Sequence, residues 1–199
     1  VVQADIVKDA QVQVDFRNFY MHRITDTKPV PEFEHWSQSA SLSIKSGYAE
    51  PVGPVAFGLD GTVMHAQRLM KNDNELVRDG TMPNDPVTGE QEQDQTQLGL
   101  TLKAKIGKTE VRYGQLMPKL PVVHIDHSRN LPTTFKGLML ESNDIENTKI
   151  TAGRITRIQA RDKEEYEKLT LDVNKTGEFS DGLNVFGVDY KVNPNLDAS

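Results

Sequence analysis

A two-residue hydrophobic period runs through this chain from end to end, broken by connections that are alternately short and long. The stretch QLGLTLKAKIGKTEVRYGQLMP at 97–118 shows it most plainly. Successive side chains of a strand face opposite sides, so Leu98, Leu100, Leu102, Ala104 and Ile106 fall on one face and Gln97, Gly99, Thr101, Lys103 and Lys105 on the other. After Gly107-Lys108 the period resumes, with Thr109, Val111 and Tyr113 on one side and Glu110, Arg112 and Gly114 on the other. Two architectures satisfy such a pattern. Either the apolar face covers a soluble core while the charged face sees water, or the apolar face meets lipid while the charged face lines a lumen.

Eight segments carry the period, at 11–23, 36–49, 54–68, 96–106, 109–117, 134–143, 148–158 and 183–192. Short turns follow the second, fourth, sixth and eighth: EPVG at 50–53, Gly107-Lys108, NDIEN at 143–147 and NPNLD at 193–197, each built on residues that tight turns demand. The other connections run to about 12, 27, 16 and 24 residues, against roughly 2 to 5 in an ordinary hairpin. In an antiparallel meander alternate connections share an end, so one end is trimmed and the other elaborate, as in outer-membrane barrels. One piece leans towards helix, ARDKEEYEKL at 160–169, and it has too few apolar positions to pack a stripe.

Composition removes several classes. No apolar run approaches the roughly 18 residues of a membrane-spanning helix, whereas a barrel strand needs only about 9 to 11 residues, half of them polar. A net charge of −6 argues against nucleic-acid binding. With no cysteine there is no disulfide framework or thiolate metal site. The chain begins with Val, which fits a processed protein or a fragment.

The faces favour the barrel. One reads Val12, Val14, Phe16, Ala40, Leu42, Ile44, Phe57 and Leu59; the other reads Gln13, Asp15, Ser39, Ser41, Ser43, Gly58, Asp60 and Thr62. Small polar side chains leave open space, as a wet lumen requires. Trp36, Tyr20, Tyr48 and Tyr113 fall near segment ends, where an aromatic girdle sits. A soluble β-sandwich or lipocalin-like barrel that binds a ligand is the alternative from another class.

DFRNFYMHR at 15–23, GLTLKAKIGKTEVRYGQLMPKLPVV at 99–123, NLPTTFKGLML at 130–140 and KITAGRITRIQARDKEEYEKL at 149–169 resemble, in order and over nearly the whole chain, the OprD family of outer-membrane substrate-specific channels. The resemblance implies an all-β, transmembrane antiparallel barrel of about 18 strands, monomeric, in the outer membrane of a Gram-negative bacterium. It further implies that the third extracellular loop, here 117–134, folds inward to narrow the pore, and that a ladder of basic residues guides carboxylates. Residues 1–199 supply only about eight strands, so the chain is expected to be the N-terminal part of a larger barrel.

Alternation puts Arg17, Lys45, Lys103, Lys105 and Arg112 on the lumen side; Arg154 and Arg157 are expected to extend the ladder, although AGRITR does not fix which side each takes. A row of cations in a narrow wet passage lowers the barrier for an anion, provided that each site binds weakly. Any one of them could instead pair with Asp15, Asp60, Glu110 or Asp189 across the wall. The connection LPVVHIDHSRNLP holds Pro121, His124, Asp126, His127, Ser128 and Arg129. A Ser-His-Asp arrangement or a metal site can be drawn there, but no strand-turn-helix elbow presents Ser128, and a polar constriction loop is the expected reading. Acidic residues Asp73, Glu75, Asp79, Asp85, Glu90 and Asp94 are expected to be solvated.

The expectation is a passive outer-membrane channel, not an enzyme, without metal or cofactor, that passes small carboxylate-containing solutes such as amino acids, organic acids and carbapenem-type antibiotics. Its partners are those solutes and the surrounding lipid and lipopolysaccharide. An oligosaccharide-selective porin of the same superfamily is the nearer alternative.

Overall fold

The computed structural model describes residues 5–24, 32–70, 80–170, 179–193 and 196–198. Eleven strands form one sheet: β1 (Gln11–Arg23), β2 (Phe33–Lys45), β3 (Ala56–Arg68), β4 (Asp94–Ile106), β5 (Thr109–Leu116), β6 (Thr134–Ser142), β7 (Thr148–Gln159), β8 (Glu167–Thr170), β9 (Phe179–Ser180), β10 (Leu183–Asn193) and β11 (Leu196–Ala198). The wall runs β1-β2-β3-β4-β5-β6-β7-β10-β11, every neighbour antiparallel, and β8 with β9 forms a hairpin hung on the upper end of β7. Among the described residues no helix is long and apolar enough to cross a membrane.

Sequence and sheet agree on the alternation of connections from β3 onward, with 69–93 and 117–133 long and 107–108 and 143–147 short. The connection 46–55, expected to be short, is no shorter than 24–32. Ile106 pairs with Thr109 across a two-residue turn in which Gly107 takes φ 59°, a conformation a side chain would strain. Lys108 N donates to Asp144 Oδ1 (2.8 Å), which ties this turn to its neighbour at 143–147. Two boundaries differ from the sequence reading. The second strand is Phe33–Lys45 rather than 36–49, and residues 46–55 make a longer connection in which Gly47 N bonds Ile6 O (2.9 Å). ARDKEEYEKL forms a turn and then β8, not a helix.

The distribution of polarity is inverted relative to a water-soluble sandwich. Phe16 (82%), Leu100 (67%) and Phe186 (76%) stand exposed on one face, while His35, Ser37, Gln95 and Gln97 on the other are fully buried. Cross-strand register keeps the apolar face continuous: Val14 meets Leu42, Leu42 meets Val63, Val63 meets Leu98, Leu102 meets Tyr113 and Tyr113 meets Leu138. Such a surface is stable against acyl chains, not against water.

Apolar residues on the inner face are few, and they anchor loops. Leu116, Phe135, Met139, Ile155 and Val185 of the wall enclose Val123, with Leu120 packed alongside; Met64 and Ala66 enclose Met82 and Leu131. Two long connections are thereby drawn inside the curve of the sheet. Burying each of these loop side chains contributes about 2 kcal/mol.

A β-bulge decides the side of two cations. Gly137 pairs with Ile155 but Lys136 pairs with Arg157, so Thr156 is extra on β7. Arg154 is level with exposed Leu138, and the bulge returns Arg157 to that same outer face beside Lys136. Neither joins the inner row, which corrects the expectation for this pair. Tyr48 is a second correction. It does not sit in an outer girdle but folds inward, its ring between Lys103 and Lys105. Tyr20 and Trp36 do share a cross-strand position on the outer face near the long connections, with Trp36 Nε1 donating to Asn18 Oδ1 (2.8 Å).

Candidate functional site

The inner faces of β1 to β5 surround a cavity of about 530 Å³, and the 117–133 connection closes one side of it. Asp15, Arg17, Ser41, Lys45, Asp60 and Arg112 are among the wall residues on it, and Lys119, His127 and Asn130 come from the connection. A recess of about 250 Å³ continues along β5 to β7, lined by Arg112, Lys119, Glu141 and Lys149. Lys119 and Lys149 were not singled out from the sequence. Lys149 alternates with buried Thr151 and could have been placed by parity, whereas Lys119 lies on an irregular segment with no period to read.

The basic side chains divide by their partners. Lys103 is buried, 2.7 Å from Asp60 Oδ1, and donates to Ser46 O (2.6 Å). Arg17 donates to the carbonyls of His127 (2.7 Å) and Arg129, so its charge is spent on backbone dipoles of the connection. Arg112 pairs with Glu110, which also accepts the Tyr48 hydroxyl. Burial and then that hydrogen bond push the Tyr48 phenol well above its ordinary range. Lys149 is 3.2 Å from Glu141, with both side chains open to water. Lys105 lies 5.6 Å from the Tyr48 ring centre. Lys45 and Lys119 line the cavity with their ammonium groups free of any ion pair or hydrogen bond among the described residues.

The connection is pinned at its tip rather than armed for catalysis. Arg161, from beyond β7, pairs with Asp126 and donates to Ser128 Oγ (2.8 Å) and Gly80 O (2.9 Å), joining three long connections at one side chain. Asp126 also accepts the Ser128 amide (2.9 Å). The Ser128 hydrogen bonds, and then the charges of Arg161 and Arg129, hold the Asp126 carboxyl below the usual range. Burial, followed by the charge of Arg17, lowers His127. Among the described residues neither histidine of the segment bonds to Ser128 or Asp126, and His124 engages Lys119 through backbone alone. Arg129 stacks over Phe19 at 5.8 Å, and Asn130 donates to Ser37 of β2. Pro121 sits exposed between the anchors Leu120 and Val123. Of the acidic residues, Asp85 caps the amides of Val87 (2.6 Å) and Thr88 (2.9 Å), while Asp73, Glu75 and Asp79 lie outside the described residues.

A family model described as outer membrane porin, OprD family, matches residues 4–199. The chain is 30% identical over 190 residues to the porin-like protein GalP of Pseudomonas putida, covering 94% of this chain and 45% of that protein. Among solved structures, a BenF-like porin from Pseudomonas fluorescens superposes with a TM-score of 0.84 at 31% identity, over 94% of this chain and 48% of the other. OccK8 (OprE) of Pseudomonas aeruginosa gives 0.81 at 32% identity, over 96% and 45%. The chain thus spans about half the length of the relatives it matches.

Proposed function

Because the chain belongs to the OprD family of outer membrane porins, we propose that it supplies part of the wall and the constriction of a passive channel for small carboxylate-bearing solutes. The observation that carries this reading is the pair of unneutralised lysines, Lys45 and Lys119, facing one cavity from the wall and from the inward connection. An anion entering there meets positive potential without first having to break an ion pair. Arg112 and Lys149, each paired with a partly buried carboxylate but itself reached by water, offer the next positions along the recess. Each contact is weak, as onward movement demands. Amino acids, organic acids and carbapenem-type antibiotics share the required carboxylate.

In this reading Arg17, Lys103 and Arg161 hold the frame, and residues 117–134 set the aperture. The exterior meets lipid as a single barrel, and no chemical step is needed. Two unit charges about 5 Å apart in water attract by about 0.8 kcal/mol, so each lysine lost should lower carboxylate occupancy roughly fourfold. The test is conductance of the full-length protein in planar bilayers, comparing an organic acid with an uncharged solute of equal size. Lys45→Gln combined with Lys119→Gln should depress only the former; unaltered carboxylate preference would overturn the assignment.

A further inference from the structure

Lys136 of β6, Arg157 of β7 and Lys168 of β8 are successive partners in one cross-strand row. All three are exposed, on the same face as Leu138. Among the described residues none uses its charged end in an ion pair or hydrogen bond. Like charges directly opposite one another across strands are destabilising, and more so where lipid lowers the dielectric. Glu167 is level with Ile158 on the other face and pairs with Lys163 (3.4 Å), and Asp181, one step beyond the Leu169-Ser180 pair, makes no ion pair with any of the three. Among the described residues, then, no carboxylate neutralises the row.

Register also fixes the height of the row. The line of partners that starts at the Ile106-Thr109 turn passes Ser142 and Ile150 and reaches β10 at Val188, well above that strand's lower end at Asn193. Partner lines thus climb towards β10, as strands tilted by about 40° require. Lys136 is level with Gln115, one step beyond the Thr101-Gly114 pair, and so shares a line with Leu100. Two strands at about 4.8 Å spacing and that tilt raise it by roughly 6 Å. That brings Lys136 level with Leu98, the last outward leucine of β4, with Arg157 and Lys168 higher still. The row begins where the greasy band stops, at the end carrying the long connections, which in such barrels is the outside.

We infer that Lys136, Arg157 and Lys168 form a docking site on the outer wall for the phosphate groups of lipopolysaccharide. The lipid-A headgroup is a phosphorylated sugar pair lying at this level, and a point charge flanking a guanidinium fork suits its oxygens. Part of the site is ordered in advance. The Lys136 ammonium rests 4.9 Å from the Tyr166 ring centre, and the Tyr166 hydroxyl lies 3.2 Å from Thr134 Oγ1. Arg154, one row lower on the same face, is turned towards Asn184 Oδ1 and Asp181 O (3.5 Å each) and stays outside the site. The inference rests on the outer-membrane barrel but not on the solute it passes.

The test uses full-length protein in detergent, titrated with bis-phosphorylated lipid A, dephosphorylated lipid A or phosphatidylglycerol, with native mass spectrometry as readout. Wild type should bind the first at least tenfold more tightly than the other two. Lys136→Gln, Arg157→Gln and Lys168→Gln together should abolish that preference, and Lys136→Arg with Lys168→Arg should keep it. Carboxylate conductance should be unchanged in the triple variant. The site is overturned if the triple variant binds lipid A like wild type, or if wild type holds phosphatidylglycerol equally well. Should the triple variant fail to fold, Arg157→Gln alone and a salt titration of wild type decide: retention insensitive to both overturns it equally.

Discussion

Arg161→Gln isolates the cost of pinning the inward connection. The arginine contributes an ion pair to Asp126, whose side chain is half exposed, a hydrogen bond to Ser128 Oγ at 2.8 Å and one to Gly80 O at 2.9 Å. A pair this open is worth about 0.5 kcal/mol, and the two hydrogen bonds about 1 kcal/mol and somewhat less, the Ser128 bond being solvent-exposed. Their loss, about 2 kcal/mol together, should raise the population of the released connection roughly 30-fold. Leu120 and Val123 remain in their cluster and Arg17 still holds two carbonyls, so the connection stays seated most of the time. Amide exchange reads this directly. Thr133 N, bonded to Asp126 O at 2.8 Å, should exchange about 30-fold faster in the full-length variant, while amides of β4 stay as protected as before. Single-channel records should show more frequent brief transitions. Unchanged exchange at Thr133 would mean that the apolar anchors alone hold the connection, and the latch argument would fail.

Acid should loosen the same segment in two stages. His127 titrates below its ordinary 6.5 in the fold, so its contribution is complete above that value and is lost as pH falls through the lowered one; Asp126, held below 3.8, repeats this at lower pH. Thr133 exchange measured against pH should show both steps, and His127→Gln should remove the first. Lys103→Met strands Asp60 in a partly buried position and should cost roughly 3 kcal/mol in unfolding free energy; a destabilisation no larger than that of Lys45→Gln would contradict its structural role. At Gly114 the backbone has φ 130°, and an added Cβ would lie 2.2 Å from Leu100 O. Gly114→Ala should therefore lower the melting temperature and shift β4-β5 register, visible as lost protection at Thr101 and Leu102; wild-type protection would refute the close approach.

The sheet was legible because its two faces differ so sharply in polarity. A period of two assigns Arg17, Lys45, Lys103 and Arg112 to one side, and Leu98 to Leu102 to the other, without any tertiary knowledge. Where backbone irregularity intervenes, the period misleads. Arg154 and Arg157 lie three positions apart and would straddle a regular strand, but the bulge at Thr156 turns both outward. Tyr48 continues an apparent alternation past Lys45, yet it belongs to a connection that Gly47 and Ile6 bend inward. Arg161 gave no signal at all, since its three partners are distant in sequence and meet only because Met82 and Leu131 pull two connections against the same wall.

The extra residue at Thr156 has an evolutionary corollary. Removing its codon would make Ile155 and Arg157 consecutive and leave Arg157 outward beside Lys136, whereas the same residue kept in regular strand phase, without the bulge, would have turned Arg157 into the bore. In a protein of this design, a bulge lets a wall strand change length by one residue while every charge beyond it keeps its side of the wall. Lineages could thereby gain or lose a codon in such a strand without exchanging inner residues for outer ones.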